Sequence, residues 1–175
     1  MKIKFTEDNE LRKLPTRATD GSAAYDLYIP KDVIVRSGRN VIPLGFCVEL
    51  SPNMAAEIHP RSGYASKGME GYEIIQKTYT KASSFTCNGV EEVCEGQYAS
   101  LESSRMNADV IYGLVDSDYR NEVGVIINND DNDFLIKKGT RIAQMLLIPI
   151  VTDIMEVVDE LSPSDRKGGF GSTNQ

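Results

Sequence analysis

Gly113-Leu114-Val115-Asp116-Ser117-Asp118-Tyr119-Arg120-Asn121-Glu122-Val123-Gly124-Val125-Ile126-Ile127-Asn128 sets two apolar runs around a polar knot. Branched residues in Gly113–Val115 and Val123–Ile127, with turn formers between them, predict a β-hairpin. The knot holds three carboxylates (Asp116, Asp118, Glu122) together with Tyr119 and Arg120. A turn needs one Asn or Asp. The surplus fits either a site where charge is used or a solvated loop tip, and the stretch alone supports both equally.

Outward from this stretch the rhythm is similar. Lys2–Phe5 suits a short edge strand, and residues 15–22 a loop. Ala23–Ile29 alternates as a strand, with Asp26 among apolar neighbours. Val33–Val35 and Val41–Leu44 flank a hairpin-like turn at 36–40, and Phe46–Leu50 reads as a further strand. Met54–His59 runs into Pro60-Arg61-Ser62-Gly63, after which Ala65–Lys67 with the neighbouring Gly68-Met69 suits a brief helical turn. Residues 134–138 and 141–151 bracket Gly139-Thr140 as another hairpin, and Ile154–Val158 reads as a last strand. Short strands punctuated by Gly, Pro and Asn predict a single all-β domain, a barrel or sandwich, over residues 1–175. Residues 70–107 break the rhythm: Tyr72–Tyr79 has β composition, and 90–100 suits a strand or a short helix. So long a connection is functional or a small inserted piece. The polar, Gly-rich tail, residues 162–175, is expected to be mobile until something binds.

Composition limits the partners. Lys+Arg 19 against Asp+Glu 26 gives a net charge of −7, which argues against a nucleic-acid surface. A polyanionic ligand would need a metal ion, local arginines and backbone N–H groups. Three cysteines, Cys47, Cys87 and Cys94, and no signal-like stretch predict an intracellular protein, cytoplasmic, or nuclear if its source is eukaryotic or viral. One histidine, His59, makes a zinc site improbable, and no apolar run is long enough for a membrane span.

Each candidate site is weak alone. Pro60-Arg61-Ser62-Gly63 offers a cation, a hydroxyl and a bare N–H, an anion cradle, yet an isolated copy is more often an ordinary turn. Asp26 suits a solvent-facing edge or a place near a metal ion. Gln144 lies in an apolar strand and needs a partner. Gly168–Thr173, with Phe170 at its centre, fits a disordered end or a flap that closes over a flat ring.

In this order the segments resemble the homotrimeric dUTP pyrophosphatases (dUTPases). Ala24–Leu27 resembles the first motif of that family, Pro60–Gly63 the second and Gly113–Arg120 the third. Gly139–Gln144 resembles the fourth and Gly168–Thr173 the fifth. The resemblance covers nearly all of the chain outside 70–107. It implies a jelly-roll-like β-barrel with a mobile C-terminal tail, and hydrolysis of dUTP to dUMP and pyrophosphate with Mg²⁺. That reaction limits uracil incorporation into DNA and supplies dUMP for dTMP synthesis.

By resemblance, Asp116 orients and activates a water for in-line attack on the α-phosphorus. Asp26 holds Mg²⁺ through a water. Ser62, Gly63 and Gln144 bind phosphate and Arg61 adds positive charge. Tyr119 packs under the deoxyribose and rejects a 2′-hydroxyl. The uracil enters the hairpin opened by Val110–Val115, with Gly113 in it, and closed near Gly124. Backbone groups read its edge there. Phe170 stacks on the uracil as Gly171 and Ser172 close the tail, with Arg166 near the γ-phosphate. The sites are shared within a homotrimer: phosphate motifs from one chain, hairpin from a second, tail from a third.

Three departures stand out. Ile111 and Tyr112 replace smaller residues on the entry strand. Arg166-Lys167-Gly168-Gly169-Phe170 is one residue shorter than usual, so Arg166 or Lys167 fits the phosphate role. Residues 70–107 are expected to form a β-rich excursion that caps the site, binds a protein partner or is neutral. The alternatives are a same-fold dCTP deaminase, or a dUTPase scaffold whose inserted segment serves as a regulatory interaction module.

Overall fold

The computed structural model describes residues 1–82 and 93–165. Among these, twelve strands and one short helix form three four-stranded antiparallel sheets, so the expected all-β class holds. The first sheet runs β1 (Lys2–Phe5), β4 (Gly38–Glu49), β10 (Glu122–Asn129), β8 (Ala108–Ile111). The second runs β3 (Val33–Val35), β11 (Phe134–Ile136), β6 (Met69–Ala82), β7 (Val93–Met106). The third runs β2 (Ala24–Tyr28), β12 (Arg141–Pro149), β5 (Met54–His59), β9 (Gly113–Val115). The helix α1 (Ser62–Lys67) follows β5.

Alternation builds the core. Along β10, Val123, Val125 and Ile127 are buried while the residues between them are less so, the period-two pattern of a one-sided strand. They join Ile42, Leu44, Phe46 and Val48 of β4, Leu27 of β2, Ile58 of β5 and Ile142 of β12 in one cluster. Phe134, fully buried, covers Gly71, where any Cβ would overlap its ring.

The turns appear where the sequence places them, but the pairings differ. Val33–Val35 pairs with β11, while residues 41–44 pair with β10. Residues 134–136 likewise join β3 and β6, and 141–149 join β2 and β5. Both supposed hairpins are therefore corners at which the chain changes sheet. A turn signal fixes the reversal of the chain and not its hydrogen-bonding neighbour. Asn40 ties one corner, accepting from the Arg36 N–H at 3.0 Å and donating to its carbonyl at 2.7 Å. Gly139, at φ +85°, turns the other, where Asp32 accepts the Lys138 N–H at 2.8 Å. Residues 41–44 and 46–49 belong to one strand, β4, bent at Gly45.

The opening stretch is corrected in the same way. Val115 pairs with Ala56 of β5, whereas β10 pairs with β4 and β8. The chain leaves one sheet after Ile111 and enters another at Gly113, so Gly113–Val115 and Val123–Ile127 are not each other's ladder partners. Ile154–Val158 is not a strand either. It finds no ladder among the described residues, and Ile154, Met155 and Val157 are at least 91% exposed.

The inserted segment is β-rich, as expected. β6 and β7 form one ribbon from Met69↔Met106 to Ala82↔Val93, so the part of 90–100 that is described is strand. Its base pairs with β11 at Tyr72 and Glu73. Beyond Glu73 no third strand joins it among the described residues, and the free portion extends roughly 30 Å. Little of the core depends on it. Replacing residues 74–101 by an Asn-Gly turn is therefore expected to leave cooperative unfolding, with stability changed by about 1 kcal/mol or less in a denaturant titration.

Candidate active site

Residues named from the sequence gather in two places. The first is built on β2, β12 and the start of α1. Asp26, Gln144 and His59 face one another across three adjacent strands. The Asp26 side chain is 13% exposed and sits between two guanidiniums: Arg61 Nε donates to Oδ1 at 3.0 Å and Arg141 Nη1 to Oδ2 at 3.2 Å. Gln144 Nε2 donates to the Pro60 carbonyl at 3.0 Å, which supplies the partner its place in an apolar strand requires. Arg61 precedes α1 in an extended conformation, and its carbonyl accepts the N–H groups of Tyr64 and Ala65 at 2.9 and 3.0 Å. Ser62 and Gly63 are exposed, and no atom lies within 4 Å of where a Gly63 Cβ would stand. Arg61, Gly63 and Arg141 line an open cavity of about 630 Å³. Tyr64 forms part of its wall. Burial pushes its hydroxyl pKa up, Glu70 adds to this, and Arg61 partly offsets it.

The second place is a slot of about 330 Å³ between β4, β9 and β10. The β8–β10 ladder stops at Ile111↔Ile126. From there β9 follows β5, and among the described residues the edge of β10 from Glu122 to Val125 has no strand beside it on that side. Gly113, Tyr119 and Gly124 line the slot with Val41, Pro43 and Ile58. A Cβ on Gly124 would come within 3.2 Å of Val41 Cγ1. Tyr119 Oη donates to the Glu122 carbonyl at 2.9 Å, and Arg120 Nη1 donates to the Ser117 and Tyr119 carbonyls, so the knot is largely self-bound. Asp116 is exposed between the slot residues Val115 and Tyr119, and its carbonyl accepts the Tyr119 N–H at 3.2 Å. Val110 is 6% exposed and belongs to the core rather than to the slot wall. Tyr112 is 67% exposed and meets His59 edge to face at 4.8 Å between centroids.

Glu122 has a structural task. Its Oε1 accepts the Gly45 N–H at 2.6 Å, while Asn9 Nδ2 and the Thr6 N–H donate to the Gly45 carbonyl, each at 2.9 Å. Gly45, at φ +72°, is the bulge that shifts the β4–β10 register between Glu122 and Gly124 and bends β4 beside the slot.

The two places share no wall residue. Arg166, Phe170, Gly171 and Ser172 lie outside the described residues. Sequence reading missed Arg141 as a partner of Asp26, although it stands next to a turn beside Gln144, and it missed the Glu122 tie to Gly45, for which no local signal exists.

The dUTPase family profile matches residues 11–88 and 100–174, so of the segment expected as an insertion at 70–107 only residues 89–99 fall outside it. The deoxyuridine 5′-triphosphate nucleotidohydrolase of Clostridium tetani is 35% identical over 178 residues, covering 100% of this chain and 97% of its own. That of Paramecium bursaria Chlorella virus 1 is 35% identical over 162 residues, with 91% and 88% covered. The dUTPase of Staphylococcus bacteriophage 80alpha, solved with dUpNHpp, superposes at TM-score 0.67 with 20% identity over 98% of this chain and 96% of that one. The dUTPase of S. aureus phage phi11, whose structure visualises a species-specific insert, superposes at 0.64 with 16% identity, over 91% and 96%. Another phi11 dUTPase structure details a structural Mg(II) ion. Fold and site thus define an all-β protein with an open-edged slot and a separate cationic cavity. The chain belongs to the dUTPase family.

The bulge beside the slot gives a test. An Ala at position 45 would hold a positive φ and press its Cβ within 2.6 Å of Asn9 Nδ2. Gly45→Ala is expected to lower stability by about 1–3 kcal/mol in denaturant unfolding.

Proposed function

We propose that this chain hydrolyses dUTP to dUMP and pyrophosphate, with Asp116 orienting and deprotonating the attacking water. One observation carries the reading: an exposed carboxylate stands on the turn at the mouth of a slot whose one wall is an unpaired strand edge. Backbone donors and acceptors along such an edge complement the imide edge of uracil, and Val41, Pro43 and Ile58 leave a narrow apolar space that rejects a 5-methyl group. Tyr119, fixed through its hydroxyl, presents its ring where a 2′-hydroxyl would otherwise fit.

Water is a poor nucleophile. A carboxylate within hydrogen-bond reach aligns it with the α-phosphorus and accepts its proton as the P–O bond forms and pyrophosphate leaves. Arg61 and the open Gly63 backbone stabilise the charge on the phosphate chain, and Gln144, held by Pro60, is positioned beside them.

The residues present fit Mg²⁺ carried in by the nucleotide. Among the described residues no group of three or more His, Cys, Asp or Glu side chains suits a metal ion, and Asp26 is a single carboxylate beside the phosphate-binding residues. Mg²⁺ takes few protein ligands and completes its shell with phosphate and water, so Asp26 would hold it through a water. Bound there, it neutralises charge on the phosphates.

The same layout supports a homotrimer with shared sites. The slot and the phosphate residues share no wall residue, and the apolar residues Val151, Ile154, Met155, Val157 and Leu161 are 87–101% exposed in the single chain. A neighbouring subunit that covers this segment would bring its slot to the Arg61 cavity, with the tail completing the site through Phe170 and Arg166 or Lys167. A surface this apolar calls for cover.

With Mg²⁺ present, pyrophosphate release is expected from dUTP and not from dTTP or UTP. Ammonia release from dCTP would identify a deaminase instead. Asp116→Asn is expected to lower kcat about 10²- to 10⁴-fold. Sharing of sites has its own test. Asp116→Asn and Gln144→Ala chains, each inactive alone, should regain part of the activity when unfolded and refolded together. No recovery would mean that each chain carries its own complete site.

A further inference from the structure

The cavity at Arg61 is more cationic than the family motifs account for. Lys13, Arg61, Lys67, Arg105 and Arg141 line it, against one carboxylate, Glu70. This concentration of positive charge stands on a chain of net charge −7. Two of these residues, Glu70 and Arg105, come from the neck of the inserted ribbon, where they are direct cross-strand partners. Arg105 Nη2 donates to Glu70 Oε1 at 2.8 Å, and Nη1 donates to the Gly68 carbonyl at 3.3 Å. Gly68 caps the C-terminus of α1, the helix whose first residues are Ser62 and Gly63. Six residues of helix span about 9 Å, so Arg105 stands one short helix away from the phosphate residues and on the same cavity wall.

Both partners of the Arg105–Glu70 pair are about half exposed, 45% and 56%. Such a pair contributes little stability and is readily exchanged. A phosphate oxygen offers the guanidinium a stronger, forked acceptor than a solvated carboxylate. In the same lining Lys13 Nζ is held 3.7 Å over the Tyr28 ring, and Lys67 ends α1. Tyr64, in the same wall, is buried, with the Arg61 guanidinium 5.3 Å from its ring centroid.

We propose that Arg105, supplied by the inserted ribbon, is a phosphate-binding residue: it exchanges Glu70 for the terminal part of a triphosphate whose inner end lies on Arg61 and Gly63. The identity of the anion as the tail of dUTP rests on the function proposed above; the anion site itself does not. Glu70 acts as the resident competitor. Its removal should therefore strengthen anion binding, and removal of Arg105 should weaken it. A neck pair that only held the ribbon in place would respond alike to either loss.

The test is calorimetric titration of the full-length protein with inorganic triphosphate, and separately with dUMP, at constant ionic strength. Arg105→Ala is expected to weaken triphosphate binding about fivefold to tenfold and to leave dUMP within twofold. Arg105→Lys should restore part of the loss, and Glu70→Gln should tighten triphosphate about threefold. Equal weakening by Arg105→Ala and Glu70→Gln, or no change in either, overturns the proposal. If Arg105→Ala does not fold, Glu70→Gln decides: tighter binding supports the site, and weaker or unchanged binding overturns it. Should triphosphate follow this pattern while the unaltered protein leaves dUTP intact, the anion site stands and the substrate assignment fails.

Discussion

The departure of the chain from one sheet to another between Ile111 and Gly113 is the constraint on which the rest depends. A strand cannot serve two ladders at once. Once β9 is committed to β5, the edge of β10 from Glu122 to Val125 loses the neighbour that β8 provides further along. In most proteins an edge left so would be a liability, because unpaired backbone groups recruit other chains. Here the gap is narrow and walled by Val41, Pro43 and Ile58, so it admits something flat and polar-edged rather than another strand. The bulge at Gly45, tied by Asn9 and Glu122, holds β4 bent beside the opening. Glu122 therefore serves the slot by shaping it.

Charge is arranged locally against a global deficit. An acidic protein repels a polyanion at long range, but the field near the Arg61 cavity is set by the nearest groups. Asp26 holds the guanidiniums of Arg61 and Arg141 in a fixed arrangement before any ligand arrives. Prearranged cations need no reorganisation when charge builds on phosphate, and that is where enzymes of this kind gain most of their rate.

The fold class was legible because alternation and turn residues are local signals. Val123, Val125 and Ile127 point inward as their spacing demands, and α1 begins where Ser62-Gly63 follows a proline turn. Partner choice was not legible. The corners at Arg36–Asn40 and Gly139–Thr140 look like hairpin turns, yet their flanking strands join different sheets, because pairing is decided by the whole barrel. The same limit explains Ile154–Val158, whose composition suits a strand but which has no ladder among the described residues. Among site residues, Asp26 bonds Arg61 and stands opposite Gln144 in the ladder. The Asp26–Arg141 contact and the Gly45–Glu122 tie join residues 115 and 77 positions apart, and no window of sequence contains both ends.

The neck of the ribbon has an evolutionary meaning. Met69 and Met106 are directly opposed, both buried, and Gly68 passes so close to the Met106 carbonyl that a Cβ would lie 2.8 Å from it. The two points where the ribbon leaves and rejoins the barrel are thus neighbours, about 5 Å apart as in any antiparallel pair. Everything between them is a loop in the topological sense, however much strand it contains. A gene can lengthen, shorten or exchange the free part beyond Glu73 without moving a barrel strand by a single register, while Glu70 and Arg105 stay in place at the neck.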